Sequence, residues 1–420
     1  MRGDRQSICK FINRGIILIA SVIRVIYILL TTVGDRQHDL GYATLLSDGI
    51  VNPGHLGYVE YIAKFHHIPD FDPFSIFSYY HPPMHHIIAA FFVSIAKALG
   101  VNEPLCYEAI QIPTLIYSII TIIVAYYILK LLCDREDKII APLALIALHP
   151  GLIYMTGSVN NDMLATMMSV LCMYTLLLWV KKGFNNKHLY VLALLTGLAM
   201  ISKMNTVVFA APIGMAMLLH LIAESEAGRF INTVKTYIVF AVIAMPIGLS
   251  WSVRNLIRFH VKPGISSATP DSNQYLGSFP LMERIGFPVS SSLGFPFHSE
   301  NASFSHNAWQ ILFKTSIFTE IWPDDISAPL LMFCQIAYVL AVILGIICAI
   351  TSIVMPIIRI RKGEVLIGTI LLTGYVTLIL TYILFVIKYP YTCSCDFRYV
   401  AVALLYAGIS LLPLSSDKSN

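Results

Sequence analysis

Long apolar runs separated by short polar turns make up most of the chain. Ten of these runs approach the roughly 20 residues that a helix needs to cross about 30 Å of hydrocarbon. They cover residues 13–33, 107–130, 138–157, 162–180, 188–203, 205–223, 234–252, 329–353, 365–387 and 397–414. The pattern predicts an all-α polytopic membrane protein with about ten transmembrane helices.

A further apolar segment, at residues 84–99, is shorter than these runs, and we interpret it as an interfacial or re-entrant helix. This interpretation keeps the charges consistent with the positive-inside rule, which places Lys and Arg in cytoplasmic loops. With the N-terminus inside, the predicted cytoplasmic loops hold Lys130, Arg135, Lys138, Lys181, Lys182, Lys187, Arg229, Lys235, Arg359, Arg361 and Lys362. The two long segments 34–106 and 253–328 then lie outside.

The composition is that of a membrane protein. The chain is 57% hydrophobic and 12% charged, whereas soluble proteins carry about 25% charged residues. Its net charge of +4 is spread over short loops without a basic face, which excludes nucleic acid as a partner. Three cysteines, Cys106, Cys393 and Cys395, would face outside, and a disulfide among them stays open.

The first outer loop carries the strongest sign of chemistry. It opens with the run GDRQHD (34–39) and holds seven of the thirteen histidines, at positions 38, 55, 66, 67, 81, 85 and 86. Asp39 follows the first span closely, where a carboxylate can accept a proton from an acceptor hydroxyl or amine. The alternative is a solvated acid that only flanks a helix end. Such a loop favours an integral-membrane enzyme over a passive pore.

A second acid, Asp162, ends the next outer turn, Asn160-Asn161-Asp162. Capping of the following helix by Asn161 or Asp162 is the structural interpretation, because both residue types are favoured N-caps. Two carboxylates at one membrane surface are also what a general-base site needs, with one acting and one orienting. We therefore predict that Asp162 and Asp39 work as a pair.

Cations are few on the predicted outer side, so each is a candidate for binding a phosphate. They are Lys203 in a tight turn, Arg254 after the seventh span, and Arg398 after the ninth. Arginine binds phosphate through two parallel hydrogen bonds and lysine as a point charge. The alternative is that these side chains only extend to the membrane interface.

The histidines also raise the question of a metal. His81 and His85 are four residues apart, but Pro82 and Pro83 place a helix start between them, because prolines fit the first turn of a helix. No HExxH or comparable spacing appears, and the simpler interpretation is histidines that bind headgroups, backbone or a substrate phosphate. We expect no required cofactor and no assigned metal ligand, with a divalent metal as the open alternative.

Taken in order, these motifs resemble the C-type membrane glycosyltransferases, the superfamily of protein O-mannosyltransferases and lipid A aminoarabinose transferases. The chain has an acid after span one (Asp39) and a proline pair closing the first outer loop, as His81-Pro82-Pro83. A second acid (Asp162), a lysine after another span pair (Lys203) and the run WSVRN at 251–255 follow. The resemblance covers about the first 260 residues well and the rest loosely.

The resemblance implies a C-type glycosyltransferase fold. Residues 1–260 would form a seven-helix catalytic membrane module with the large first outer loop, 34–106. Residues 261–328 would form an extracytoplasmic loop, and 329–420 three C-terminal transmembrane helices. The family transfers sugars from polyprenyl-phosphate donors, typically with inversion, to a lipid, glycan or protein acceptor. The site would face the extracytoplasmic side of a bacterial plasma membrane or a eukaryotic endoplasmic reticulum.

The resemblance also assigns roles to residues. Asp39 would be the general base, with Asp162 supporting it. Relatives commonly carry Asp-Glu where this chain has His38-Asp39, so Asp35 stays open as the base. Lys203 and Arg254 would hold the leaving phosphate. The expected substrate-binding residues are His38, His55, His81, Lys203, Arg254 and Arg398.

The rival interpretation is a transporter or flippase of a lipid-linked or small polar solute. It would also explain outward acids and many spans. Transporters, however, usually show repeats and polar residues near mid-membrane. Here no repeat is visible and the ionisable residues gather at one surface, so the enzyme is the favoured interpretation. The sugar and the acceptor are not readable from the residues.

Overall fold

The computed structural model describes residues 2–36, 53–262, 272–287, 295–320, 323 and 325–414. Helices carry nearly all of the regular structure in these ranges. The α-helices are α1 (Arg2–Leu30), α2 (Val33–Arg36), α3 (Gly54–Phe65), α4 (Met84–Ala98), α5 (Gln111–Leu132), α6 (Glu136–Ala147), α7 (Pro150–Tyr154), α8 (Asp162–Lys181), α9 (Asn186–Ser202), α10 (Ala210–Glu226), α11 (Phe230–Phe259), α12 (Leu281–Ile285), α13 (Ala308–Phe318), α14 (Ala328–Arg361), α15 (Val365–Lys388) and α16 (Ala403–Ser410). Short 3-10 segments occur at Leu105–Ile110, Met155–Gly157, Met204–Phe209, Thr392–Cys395 and Phe397–Val400.

Seven helical segments of the described chain are long and apolar enough to cross a membrane. They are Arg5–Leu30, Leu105–Leu132, Asp162–Lys181, Met204–Glu226, Phe230–Phe259, Ala328–Arg361 and Val365–Lys388. An eighth crossing is made if Glu136–Ala147 and Pro150–Gly157, which meet at a bend of 57°, count as one span. The all-α polytopic class is therefore confirmed, with fewer full-length spans than the ten that hydropathy predicts.

If the bent pair is counted as the span predicted at 138–157, two of the ten predicted spans are not found as full-length helices. The segment 188–203 lies in α9, whose 17 residues rise only about 25 Å at 1.5 Å per residue. The segment 397–414 begins as the 3-10 turn Phe397–Val400 and continues as α16, which has 8 residues. Hydropathy counts both as spans because it does not register where the backbone leaves the α-helical path.

The middle of the bundle is built around α8, α9 and α11. Nearly every side chain of α8 is buried, from Asp162 to Trp179. Glycines let α9 and α11 approach closely: a Cβ at Gly197 would lie 2.9 Å from the carbonyl oxygen of Ala244, and one at Gly248 2.8 Å from Sδ of Met200. Small residues at such contacts allow helices to pack tightly in lipid, where no hydrophobic force drives them together.

The described part of the first outer loop packs around a core of its own. Val59 and Ile62 of α3 are buried with Ala89 and Val93 of α4. Protein covers the apolar side of α3, because α3 packs against α4. The interpretation of 84–99 agrees with the structure: α4 has only 15 residues and begins directly after Pro83.

A hydrogen bond to a glutamate ties the elements together at each end of the bundle. At one end Asn13 of α1 donates to the carboxylate of Glu136, 2.9 Å away, beside the predicted basic loops. At the other end the backbone N–H of Val33 donates to Glu108, 2.9 Å away, where the first outer loop begins. This second end also holds the start of α8 and the C-terminus of α9; we call it the loop end.

Arg24 lies in the interior of the bundle, and no acid of the described residues forms an ion pair with it. Its side chain is fully buried; Nε donates to the Ser118 hydroxyl at 2.7 Å and Nη1 to the Ala147 carbonyl at 2.8 Å. The bend between α6 and α7 leaves that carbonyl without its usual helical partner. Arg24 therefore stabilises the bent pair. All eight cysteines are free thiols in the structure, so Cys106, Cys393 and Cys395 form no disulfide there.

Candidate functional site at the loop end

Asp162 sits in the first turn of α8 and is held from both sides of the preceding turn. Its backbone N–H donates to the side-chain oxygen of Asn160 at 3.1 Å. Asn161 donates its amide to the carbonyl of Ser202, 2.7 Å away at the end of α9. Asn161 occupies the N-cap position, as expected, but its side chain makes no capping bond; the side chain of Asn160, one residue earlier, accepts the Asp162 N–H instead. Asn161 instead ties the turn to α9.

Two cations meet the Asp162 carboxylate. Lys203, the residue after α9, forms a buried ion pair with Oδ1, and Nε of Arg398 lies 3.8 Å from Oδ2. Arg398 Nε is also 3.9 Å from Asp396, and the Lys203 ammonium lies 4.8 Å from the centre of the Tyr399 ring. The structure thus brings together three predicted site residues, 41 and more positions apart in the chain.

This cluster is balanced in charge, with two carboxylates (Asp162 and Asp396) facing two cations (Lys203 and Arg398). A buried pair with such partners holds its groups in fixed positions. Asp162 is therefore held in a fixed position, and its role of supporting Asp39 stays a prediction. An anion that approaches Lys203 or Arg398 competes with carboxylates already in place.

A group of stacked imidazoles lies beside the cluster. Nδ1 of His55 is 2.9 Å from Nε2 of His86, and the ring of His81 stacks on His55 at 4.9 Å between centroids. His85 donates from Nε2 to the Val159 carbonyl at 2.8 Å, in the turn that leads to Asp162.

Burial lowers the pKa of three of these histidines. It lowers the pKa of His85 to about 4. The pKa values of His55 and His86 fall well below the usual range, first through burial and then through the unfavourable interaction of one imidazolium with its neighbours. His55, His85 and His86 are therefore neutral near pH 7 and act through hydrogen bonds.

Arg254 lies at the same end but outside the balanced cluster. Its guanidinium covers the Trp251 ring at 4.8 Å, bonds the carbonyl of Pro69 and donates to the Asn255 amide oxygen at 2.8 Å. Among the described residues no carboxylate lies within 4 Å of it. Its guanidinium therefore forms no ion pair with the described residues, and Asp70 interacts with it only at longer range.

Arg254 and the imidazoles belong to one continuous set of contacts. Trp251 donates from its indole N–H to the Tyr80 carbonyl, 3.1 Å away. The Tyr80 ring lies 4.6 Å from that of His81, which stacks on His55. The expected substrate-binding residues His55, His81, Lys203, Arg254 and Arg398 are thus all at the loop end.

The side chains of three predicted site residues lie outside the described part of the structure. His38 and Asp39 are outside the described residues, and the structure describes the backbone of Asp35, in α2, but not its side chain. Their roles stay predictions. The described chain on either side of them, at Val33 and from Pro53 onward, packs into the loop-end core.

Within the described residues no three His, Cys, Asp or Glu side chains are arranged to hold a metal ion. The imidazoles contact one another and backbone instead. The alternative of a divalent metal stays open, because His38 and Asp39 are not among those residues.

Sequence reasoning missed several site residues. Asn160 belongs to the turn that carries Asp162, but the sequence does not indicate that its side chain accepts the Asp162 N–H, and it assigns no partner to Asp396. His86 pairs with His55 because α3 packs on α4, and His85 bonds the Val159 carbonyl in the turn before α8; neither contact can be read from the sequence. The one signal in the sequence is that Asp396 stands two residues before Arg398, which could have indicated that the two side chains interact.

Comparison with known proteins adds an independent finding. Residues 80–251 match the family model of dolichyl-phosphate-mannose-protein mannosyltransferases. The matched stretch includes Asp162, Lys203 and Trp251 and spans about two fifths of the chain. No curated protein matches the chain. The family match confirms the resemblance to the membrane glycosyltransferase superfamily.

Proposed function

We propose, from the family match and the loop-end cluster, that this membrane glycosyltransferase moves a sugar from a polyprenyl-phosphate donor to an acceptor. The observation that carries the proposal is the buried meeting of Asp162, Lys203 and Arg398. Two of the three lie inside the matched stretch, and they sit where the first outer loop returns to the bundle. An integral multi-pass protein with this site suits a donor that is itself dissolved in lipid.

The proposed reaction is an inverting displacement. An acceptor oxygen or nitrogen attacks the anomeric carbon and forms the new glycosidic bond. The bond from that carbon to the phosphate oxygen breaks, and the electron pair leaves with the lipid phosphate. Asp39 takes the acceptor proton as general base, and Asp35 is the alternative base. No nucleotide is needed, because the lipid phosphate is the leaving group.

Cations at the loop end would stabilise the charge that develops on the leaving phosphate. Arg254 is the first candidate, because no carboxylate of the described residues forms an ion pair with its guanidinium and arginine matches phosphate oxygens bidentately. Lys203 and Arg398 would contribute through the field of the cluster while holding Asp162. His55, kept neutral by burial, supplies hydrogen bonds rather than charge, and His81 stacks on it.

The loop end is proposed to face the extracytoplasmic side. The basic residues of the turns between α5 and α6, α8 and α9, and α14 and α15 gather at the opposite end, and the positive-inside rule assigns that end to the cytoplasm. The donor would then present its phosphate and sugar at the outer or luminal surface. The acceptor, a lipid, glycan or protein, would approach from the aqueous side.

The test is transfer of radiolabelled sugar by the purified chain from a panel of polyprenyl-phosphate sugars to membrane extracts. Asp39→Asn is compared with Asp72→Asn, an exposed acid of the same loop whose carboxylate accepts the Phe74 N–H at 2.9 Å. An asparagine at 72 keeps that bond. We expect transfer by the wild type and by Asp72→Asn, with a loss of at least a hundredfold at Asp39→Asn.

The other outcomes separate the parts of the proposal. Equal transfer by Asp39→Asn and the wild type would reject Asp39 as base and direct the same test to Asp35→Asn. Transfer by none of the proteins across the whole panel would argue against the enzyme and for the transporter or flippase.

A further inference from the structure

A polar cleft opens beside the Asp162 cluster. Its enclosed volume is about 50 Å³ and one side is open to solvent, so that a ring bound there would be only partly enclosed. Three stretches line it: residues 151–160 around α7, residues 315–320 at the end of α13, and residues 396–398. Only the first lies inside the family-matched stretch.

Close packing fixes the three stretches relative to one another. A Cβ at Gly151 would lie 2.5 Å from the Phe397 ring and 2.9 Å from the Ser316 carbonyl oxygen. The helix α7 can approach both only because residue 151 is glycine. The N–H of Phe397 donates to the Thr315 hydroxyl at 2.9 Å, and its ring stacks on His149 at 5.0 Å. The cleft is thus a built part of the fold.

The cleft shares residues with the charged cluster. Arg398 lines it and lies 3.8 Å from the Asp162 carboxylate. Asn160 lines it and accepts the backbone N–H of Asp162. A ligand in the cleft would therefore lie against the groups that position Asp162.

The lining is suited to hydroxyl groups. Glu320 and Asp396 offer carboxylate oxygens, which accept hydrogen bonds from hydroxyls, and Ser158 and Thr319 can both donate and accept. Tyr154 adds an aromatic ring. With two carboxylates against the single guanidinium of Arg398, the lining has a formal charge of −1, which disfavours an anionic ligand.

We propose that this cleft binds the neutral, polyhydroxylated ring of a sugar and that Glu320 and Asp396 select it. The ring would belong either to the transferable sugar of the donor or to a sugar of the acceptor. Only this identification of the molecule rests on the proposed function. Because Glu320 and Asp396 lie outside residues 80–251, sugar choice resides in a part of the chain beyond the family match.

The test measures binding, independently of transfer. Thermal unfolding of the full chain in detergent is followed with dolichyl phosphate alone and with dolichyl phosphate carrying mannose, glucose or galactose. A second arm uses the corresponding free methyl glycosides. Glu320→Gln and Asp396→Asn are compared with Glu283→Gln, an exposed acid of α12 in the same predicted outer segment.

We expect at least one sugar to stabilise the wild type beyond dolichyl phosphate alone. Glu320→Gln and Asp396→Asn should each weaken binding of that sugar about tenfold, the effect of removing one charge-assisted hydrogen bond. Glu283→Gln should bind as the wild type does. Asparagine at 396 can still accept the Arg398 N–H, now 2.7 Å from Asp396, which protects the fold of that variant.

The two arms identify the source of the ring. A loss confined to the lipid-linked sugars assigns the cleft to the donor, and a loss with the free glycosides assigns it to the acceptor. Unchanged affinities in both variants, or no response of the wild type to any sugar in either arm, would overturn the inference.

Failure of the proposed function would look different. If Glu320→Gln weakens sugar binding but the wild type transfers no sugar, the sugar-binding cleft is supported and the transferase function is rejected. If the wild type transfers sugar and Glu320→Gln binds sugar as the wild type does, only the proposed role of the cleft is rejected.

Discussion

Asp162 and Lys203 form a buried ion pair at the loop end, joining the first turn of α8 to the residue that follows α9. Their side chains are 3% and 9% exposed, so neither charge has water to replace a lost partner. The turn that carries Asp162 is also bonded to Ser202 through Asn161. The pair therefore both fixes the site and closes the α8–α9 hairpin.

Removing one member of this pair should destabilise the protein more than removing both. Asp162→Asn or Lys203→Met alone leaves an uncompensated buried charge, at a cost of about 3–5 kcal/mol. The double variant leaves no such charge. Thermal unfolding of the wild type, both single variants and the double variant gives the coupling. Additive losses would contradict the interaction.

Arg254 should act on donor binding and much less on folding. Arg254→Gln removes a charge that forms no ion pair within the described part of the chain, so we expect the KM for the lipid-phosphate donor to rise by roughly 10–100-fold. The matched control is Arg258→Gln, one turn further along α11 and exposed. Equal KM values for Arg254→Gln and Arg258→Gln would remove Arg254 from the phosphate site.

Acidification should weaken the fold through His85. Burial lowers its pKa to about 4, whereas an unfolded histidine titrates near 6.5. Between these values the unfolded state binds more protons, so stability falls as pH falls from 6.5 to 4, by on the order of 3 kcal/mol from this group.

His85→Gln tests this, because glutamine keeps a donor for the Val159 carbonyl and does not titrate. The unfolding temperature of the variant should depend less steeply on pH over this interval than that of the wild type. Parallel pH profiles would show that His85 does not contribute.

Lys314 should destabilise the protein at neutral pH. It is buried in α13, and desolvation lowers its pKa to about 8, against about 10.5 when unfolded. The unfolded state therefore binds more protons between pH 8 and 10.5. The cost, on the order of 3 kcal/mol, is fully present below pH 8 and diminishes as pH rises toward 10.5.

Lys314→Met should accordingly raise the unfolding temperature at pH 7, with the gap to the wild type closing above pH 8. Lys187→Met, at an exposed position, is the control and should change little. A Lys314→Met protein no more stable than wild type at pH 7 would mean that the ammonium finds compensation on binding or in the membrane.

The sequence by itself determined the membrane class, most of the helices and the order of the chemical groups. Apolar runs of about 20 residues leave few alternatives in lipid, because a helix satisfies its own backbone hydrogen bonds. Pro82-Pro83 marked the start of α4 for a similarly local reason. Asp162, Lys203, Arg254 and Arg398 were recognised because charged residues are rare at membrane depth and stand out in an apolar sequence.

Tertiary structure alone decided how these groups are partnered. Asp162 meets Lys203 and Arg398 because α8 begins where α9 and the turn after α15 end, and no local pattern encodes that meeting. The same holds for His55 and His86, which pair through the packing of α3 on α4. Hydropathy also overcounted the spans at 188–203 and 397–414, since it measures polarity and not the path of the backbone. Local propensity and solvent preference act residue by residue, whereas ion pairs and clefts depend on distances between segments far apart in the chain.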